Sequence, residues 1–133
     1  MDAEEARIKM MEYFKFLIDD VLGMLIYGSV ATGASTERSD IDVCVVAPLV
    51  VDKVRFSRAI LANVKDVRYD VRLFELMPLY IQMDVIEHGK VVYTRDIYEL
   101  YEYFYGFRKR WEDQRERQRL SKEEALELFV TAR

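Results

Sequence analysis

The sequence predicts an α/β (α+β) fold, and three observations carry that prediction. Four short runs, residues 24–27, 41–47, 67–74 and 90–93, have the length and the β-branched or alternating character of strands. Segments that open near Asp2, Asp52, Pro78 and Asp96 repeat apolar residues at helical spacing. The first two runs are joined by a loop of small and hydroxyl residues with Gly28 at its start and Gly33 inside it.

In chain order, Asp2 with Glu5 reads as an N-cap and its partner. Ala6, Met10, Tyr13, Phe14, Leu17 and Val21 then trace one apolar stripe, with Glu4, Arg7, Lys15 and Asp19 on the solvated side. This predicts one helix closed by Gly23, followed by the first strand. Beyond the loop, Asp40 and Asp42 open the second strand. Successive strand residues alternate faces, so both carboxylates project from one face, about 6.6 Å apart along the backbone. Paired acids repel, which favours a bound cation over the blander reading of two turn acids. Mg²⁺ suits them, because it takes hard oxygen ligands and is held by one or two carboxylates together with substrate phosphates. At Gly28 a missing Cβ lets a ligand approach the backbone, and Ser29 adds a hydroxyl and an amide N–H for phosphate oxygens. A Walker loop is excluded, because no lysine follows Gly33.

Pro48 ends the second strand, and Val54, Ala59, Ile60, Leu61 and Val64 predict a helix over 52–63 with Arg55 and Arg58 toward solvent. Residues 67–74 alternate, with Val67, Tyr69, Val71 and Leu73 on an apolar face and Arg68, Asp70 and Arg72 on the other. Asp70 is central in that strand, and its plain reading is an ion pair with the flanking arginines. Pro78 suits a helix start, and His88-Gly89 closes that helix, which places His88 at a cap. With one histidine and one cysteine, a zinc site is not expected. Asp96 with Glu99 opens a long helix to about Gln118, whose stripe is Ile97, Leu100, Tyr101, Phe104, Phe107 and Trp111. Tyr98, Tyr103 and Tyr105 lie off that stripe, which leaves core packing and a partner or dimer surface both open. Charges of both signs from Arg108 to Arg119 describe a solvated face. Ser121 with Glu124 is a further capping box and predicts a separate short terminal helix.

The 133 residues are expected to form a single domain without room for a separate substrate domain. A net charge of -4 argues against nucleic acid as a partner. Cys44, in an apolar strand, reads as a small buried hydrophobe, and a lone cysteine excludes a disulfide framework. A charged amphipathic start and the lack of any long apolar run point to a cytoplasmic protein with no membrane segment.

Gly28-Ser29, then Gly33, then Ser39-Asp40-Ile41-Asp42 running into a β-branched strand resembles the signature of the DNA polymerase beta superfamily of nucleotidyltransferases. With Asp70 and the helix–glycine–strand segment 79–93, the chain looks like the minimal nucleotidyltransferase family over about residues 8–105, leaving 106–133 as a helical extension. The resemblance implies a mixed sheet of about four to five strands flanked by helices, with Mg²⁺ and a nucleoside triphosphate. It implies AMP transfer from ATP to a tyrosine of a HEPN-domain toxin, for which the protein serves as antitoxin. Asp40 and Asp42 would bridge two metal ions, and Asp70, the third carboxylate the resemblance calls for, with Asp66 and Asp84 as the fallback acids, would bind one of them and draw the proton from the attacking hydroxyl. Many members carry an arginine after Gly-Ser-x-Ala where this chain has Thr32, and Arg38 is the cation in position to replace it. Gly28, Ser29, Arg38 and Ser39 are then the nucleotide-binding residues. A catalytically weak antitoxin that acts by binding, and nucleotidyl transfer to a small molecule, are the alternatives.

Overall fold

The computed structural model of the chain describes residues 3–28 and 40–131. Helix α1 spans Ala3–Tyr13 and is followed by a 3-10 turn, Lys15–Leu17. Strands β1 (Gly23–Tyr27) and β2 (Ile41–Val46) come next, then α2 (Lys53–Asn63), β3 (Tyr69–Leu73) and a second 3-10 turn, Phe74–Leu76. Helix α3 (Leu79–His88), strand β4 (Lys90–Thr94) and helix α4 (Ile97–Thr131) complete the order. The four strands form one mixed sheet in the order β3-β2-β1-β4. β2 and β3 run parallel, joined by the crossover through α2, and the other two pairings are antiparallel.

The period of two along the strands divides the core. Met24, Ile26, Val43, Val45, Val71 and Leu73 face α1 and α2. Leu25, Tyr27, Cys44 and Val46 face the opposite side, with Phe74, Val85, Leu100, Phe104 and Phe107 from the second 3-10 turn, α3 and α4. Cys44 is fully buried, and burial pushes its thiol well above the ordinary range. In α2 the inward side is Ile60, buried, with Phe56 and the C-cap residue Val64 partly buried, whereas Val54 and Leu61 stand half in solvent.

Four expectations are corrected. The first helix does not run to Gly23: Phe14 leaves the α conformation at φ -102 and ψ 18. The cause is tertiary. Tyr13 Oη accepts hydrogen bonds from the backbone N–H groups of Lys65 and Asp66 at 2.8 and 2.7 Å. The rings of Tyr13 and Phe14 both lie 5.3 Å from that of Tyr69. Gly23 instead opens β1, where a Cβ would stand 3.1 Å from the Tyr93 carbonyl. The third strand begins at Tyr69, leaving Val67 exposed beyond its end. Tyr101 is not core, being 60% exposed, while Tyr103 takes its place against Phe74. No break separates a terminal helix within the described residues: neither glycine nor proline interrupts residues 107–131, and the exposed pairs of Arg119 with Glu116 and Glu123 span Ser121. Asp96 caps α4 as expected, its Oδ1 accepting from the amide of Tyr98 at 2.9 Å. The Asp2 cap lies outside the described residues.

Glu75 ties three elements together. Its carboxylate accepts from the Ala47 amide at 2.9 Å, just past β2, and from Tyr103 Oη at 2.8 Å on α4. Burial raises the Glu75 carboxyl above its ordinary 4.5, against the lowering effect of those two hydrogen bonds, and the Tyr103 phenol is raised as well.

Because the folded value is raised, the stability Glu75 contributes is complete below 4.5 and is lost as pH climbs through the folded value. Glu75→Gln removes that titration. The unfolding free energy of the wild type minus that of the variant, from urea titrations, is therefore expected to decline as pH rises from below 4.5 toward neutrality. A difference that stays flat would mean the carboxyl is not held in a desolvated place.

Candidate functional site

The pairing of three strands sets a row of side chains. Tyr27 of β1 is the register partner of Asp42 in β2, and Asp42 is the partner of Asp70 in β3. Partners on neighbouring strands share a face and sit about 5 Å apart, so Tyr27, Asp42 and Asp70 stand side by side. They lie on the α3/α4 side of the sheet, at the end where β1 finishes and β2 and β3 begin. Two residues along, Leu25, Cys44 and Arg72 form the next row. The site thus sits at the rim of an apolar cluster that begins one step deeper.

Gly28 follows Tyr27 with φ +72, in the left-handed region. A Cβ built on it would overlap Asp42 Oδ2. The glycine therefore meets two demands at once, a backbone turn out of β1 and an open space for the Asp42 carboxylate.

The electrostatics of the row are acid-rich. Burial, followed by repulsion from Asp70, raises the Asp42 carboxyl; Arg72 opposes this and Asp40 adds to it. Arg72 Nη2 is 3.6 Å from Asp70 Oδ2, both side chains about half exposed, so the ion pair offsets only part of the charge. Tyr27 is buried, and desolvation together with the nearby Asp42 pushes its phenol up to about 12. Asp40 is exposed and sits just before β2, where Ile41 N–H donates to the Arg68 carbonyl at 2.7 Å and extends the parallel ladder.

Of the residues singled out from the sequence, the strand register brings Asp42 and Asp70 together, and Asp40 is near enough to repel Asp42. Ser29, Arg38 and Ser39 lie outside the described residues. The fallback acids are elsewhere: Asp66 accepts from the Arg68 amide at 2.9 Å, and Asp84 pairs with His88 at 3.1 Å on α3. Among the described residues, no three His, Cys, Asp or Glu side chains close into a metal-binding group. The donor chemistry nonetheless fits a hard divalent cation, because the carboxylates repel one another and Gly28 leaves Asp42 its space. One member of the site escaped the sequence reading: Tyr27 looked like one more apolar strand residue, and its only signal was adjacency to Gly28. The ion pair expected between Asp70 and a flanking arginine is present, with Arg72.

With this geometry in place, comparison with known proteins places the chain in context. Residues 9–98 match the polymerase beta nucleotidyltransferase family. A Methanocaldococcus jannaschii protein named as a protein adenylyltransferase is 43% identical over 97 residues, spanning 73% of this chain and 75% of that protein. Among solved structures, a chain of a toxin–antitoxin complex with AMP-PNP superposes with a TM-score of 0.64 at 18% identity, covering 88% of this chain and 96% of that one. A chain of the Shewanella oneidensis complex of a tri-AMPylated HEPN toxin with MNT antitoxin gives a TM-score of 0.62 at 14% identity, covering 90% and 96%. At those identities the likeness is one of fold, and it matches the mixed sheet and long final helix described above.

The role of Gly28 is testable apart from any activity. Gly28→Ala is expected to lose about 1–2 kcal/mol for the left-handed backbone alone, and more from the overlap with Asp42. Gly28→Asn tolerates the backbone better but keeps the Cβ, so in chemical denaturation it should fall between the wild type and the alanine variant. Wild-type stability in both variants would remove the proposed constraint on Asp42.

Proposed function

Since the chain belongs to the polymerase beta nucleotidyltransferase family and is an enzyme of that type, we propose that it transfers AMP from ATP to a tyrosine hydroxyl of a HEPN-type toxin, acting as antitoxin. The observation that carries the reading is the facing pair Asp42 and Asp70 beside a glycine whose missing Cβ leaves the carboxylate its place. Two further facts support it: the name of the 43%-identical relative, and the toxin–antitoxin complexes that contain the superposed chains.

The reaction forms a bond from the acceptor oxygen to the α-phosphorus and breaks the bond from that phosphorus to the bridging oxygen of pyrophosphate. Asp40, Asp42 and Asp70 are the residues that would hold Mg²⁺, which when bound neutralises negative charge on the transferring phosphoryl group. Asp70, at the outer end of the row and partly exposed, would accept the proton from the attacking hydroxyl. Arg72, 3.6 Å from Asp70, partly offsets its charge. The Gly28 backbone, Ser29, Arg38 and Ser39 are assigned to the β- and γ-phosphates, fixing the leaving group for in-line displacement. Tyr27, buried with a raised phenol, stays neutral and serves as a wall of the site.

A second reading, an antitoxin that acts by binding alone, is favoured by the far end of α4. There Leu126, Phe129 and Val130 are each more than half exposed and share one face of the helix, an apolar patch suited to a partner surface.

Incubation with labelled ATP, Mg²⁺ and the product of the neighbouring gene separates the two. Label on a tyrosine of the partner is the expected result; an unlabelled partner in an intact complex would overturn the enzymatic reading. Asp42→Asn is expected to lower transfer by about a hundredfold or more, with melting temperature and circular dichroism retained. Undiminished turnover in that variant would contradict the site assignment.

A further inference from the structure

Beside the acid row lies a cavity that the chemistry above leaves unused. Its volume is about 450 Å³, within the range of small-ligand pockets. Leu25 forms its floor together with Val91 of β4. Leu25 is two residues before Tyr27 on the same face of β1, so the floor begins about 6.6 Å from the row that carries Asp42. Ile86 and Phe104 supply the walls from α3 and α4. Gly89 keeps the floor open: a Cβ there would stand 3.3 Å from Leu25 Cδ2 and run into the Val85 carbonyl.

The rim differs in character from the floor. Tyr101, Tyr105 and Arg108 stand on successive turns of α4 and border the cavity. The two tyrosines are 60% and 64% exposed, so the core does not use them. Among the described residues, Arg108 is the only charged one in the lining. An apolar slot between two helices, edged by two phenols and a guanidinium, matches a flat heteroaromatic group that stacks and accepts hydrogen bonds. The slot also shares its sheet face and its sheet end with Gly28 and Asp42.

We infer that this cavity holds the purine base of the nucleotide, with Tyr101 and Tyr105 stacking on the ring and Arg108 donating to its nitrogens; the inference rests on the nucleotidyl-transfer reading. The base would then lie across Leu25, with the phosphates at Gly28 and the α-phosphorus over the acid row.

The test is equilibrium binding by calorimetry, in Mg²⁺ and without partner, of ATP and of inorganic tripolyphosphate. The proteins are the wild type, Arg108→Ala and the double variant Tyr101→Ala with Tyr105→Ala. Because these side chains are exposed, the variants should keep the wild-type melting temperature. ATP affinity is expected to fall about tenfold in the double variant, while tripolyphosphate affinity is unchanged. Arg108→Ala should narrow the preference for ATP over tripolyphosphate. Equal ATP affinity in wild type and double variant overturns the assignment and leaves transfer intact. Unchanged ATP affinity with loss of partner labelling overturns it too, since the groove would then serve the acceptor. A wild type that binds neither ligand overturns the transfer reading and this inference together.

Discussion

Asp42 Oδ2 occupies the space that a side chain on residue 28 would need. Much else in the molecule is arranged around that contact. β1 has to end in a left-handed residue, the chain has to leave the sheet there, and β2 has to return in the register that sets Asp42 against Tyr27. The parallel pairing of β2 and β3 then delivers Asp70 to the same row. A slip of one residue in either pairing would turn an acid to the opposite face, among Ile26, Val43 and Val71, where a carboxylate has no partner.

The two faces of the sheet divide the work. The side covered by α1 and α2 is apolar from end to end, closed by the Tyr13, Phe14 and Tyr69 rings. The other side is apolar only in its deeper part, under α3 and α4, and turns polar at its rim. Glu75 marks the inner boundary. It is a half-buried carboxylate satisfied by Ala47 and Tyr103, and it links the end of β2 to α4. Cys44 lies on this same face, one step from the acids, buried and inert as a nucleophile.

How much of this was legible depended on whether the deciding force was local. The four strands and the starts of α2, α3 and α4 followed from periodicity and capping, since alternation at 69–73 and the Asp96 cap are short-range signals. The end of α1 was not legible. It is set by hydrogen bonds from residues 65 and 66 and by a ring on β3, more than fifty positions away. The capping pair Ser121 and Glu124 misled for the opposite reason: a cap requires the chain to leave the helix before it, and neither glycine nor proline interrupts residues 107–131. In the site, Asp40 and Asp42 could be read from their spacing, but that Asp70 faces Asp42 is a property of strand register. Tyr27 was invisible for the same reason, ordinary until its cross-strand neighbours are known, whereas the pairing of Asp70 with a flanking arginine is local and could be read.

Helix α4 runs 35 residues, yet Trp111 is the last of its described side chains that is not exposed. Beyond it the backbone is held by its own ladder and by exposed pairs such as Arg119 with Glu116 and Glu123. Such a stretch is marginal as a helix by itself. Its coil–helix equilibrium is uncoupled from the cooperative melting of the sheet, so amide protons along α4 should exchange in a gradient, slow over Leu100 to Phe107 and progressively faster toward Thr131. A surface bound along that distal half would slow its exchange without stabilising the rest of the molecule to the same degree.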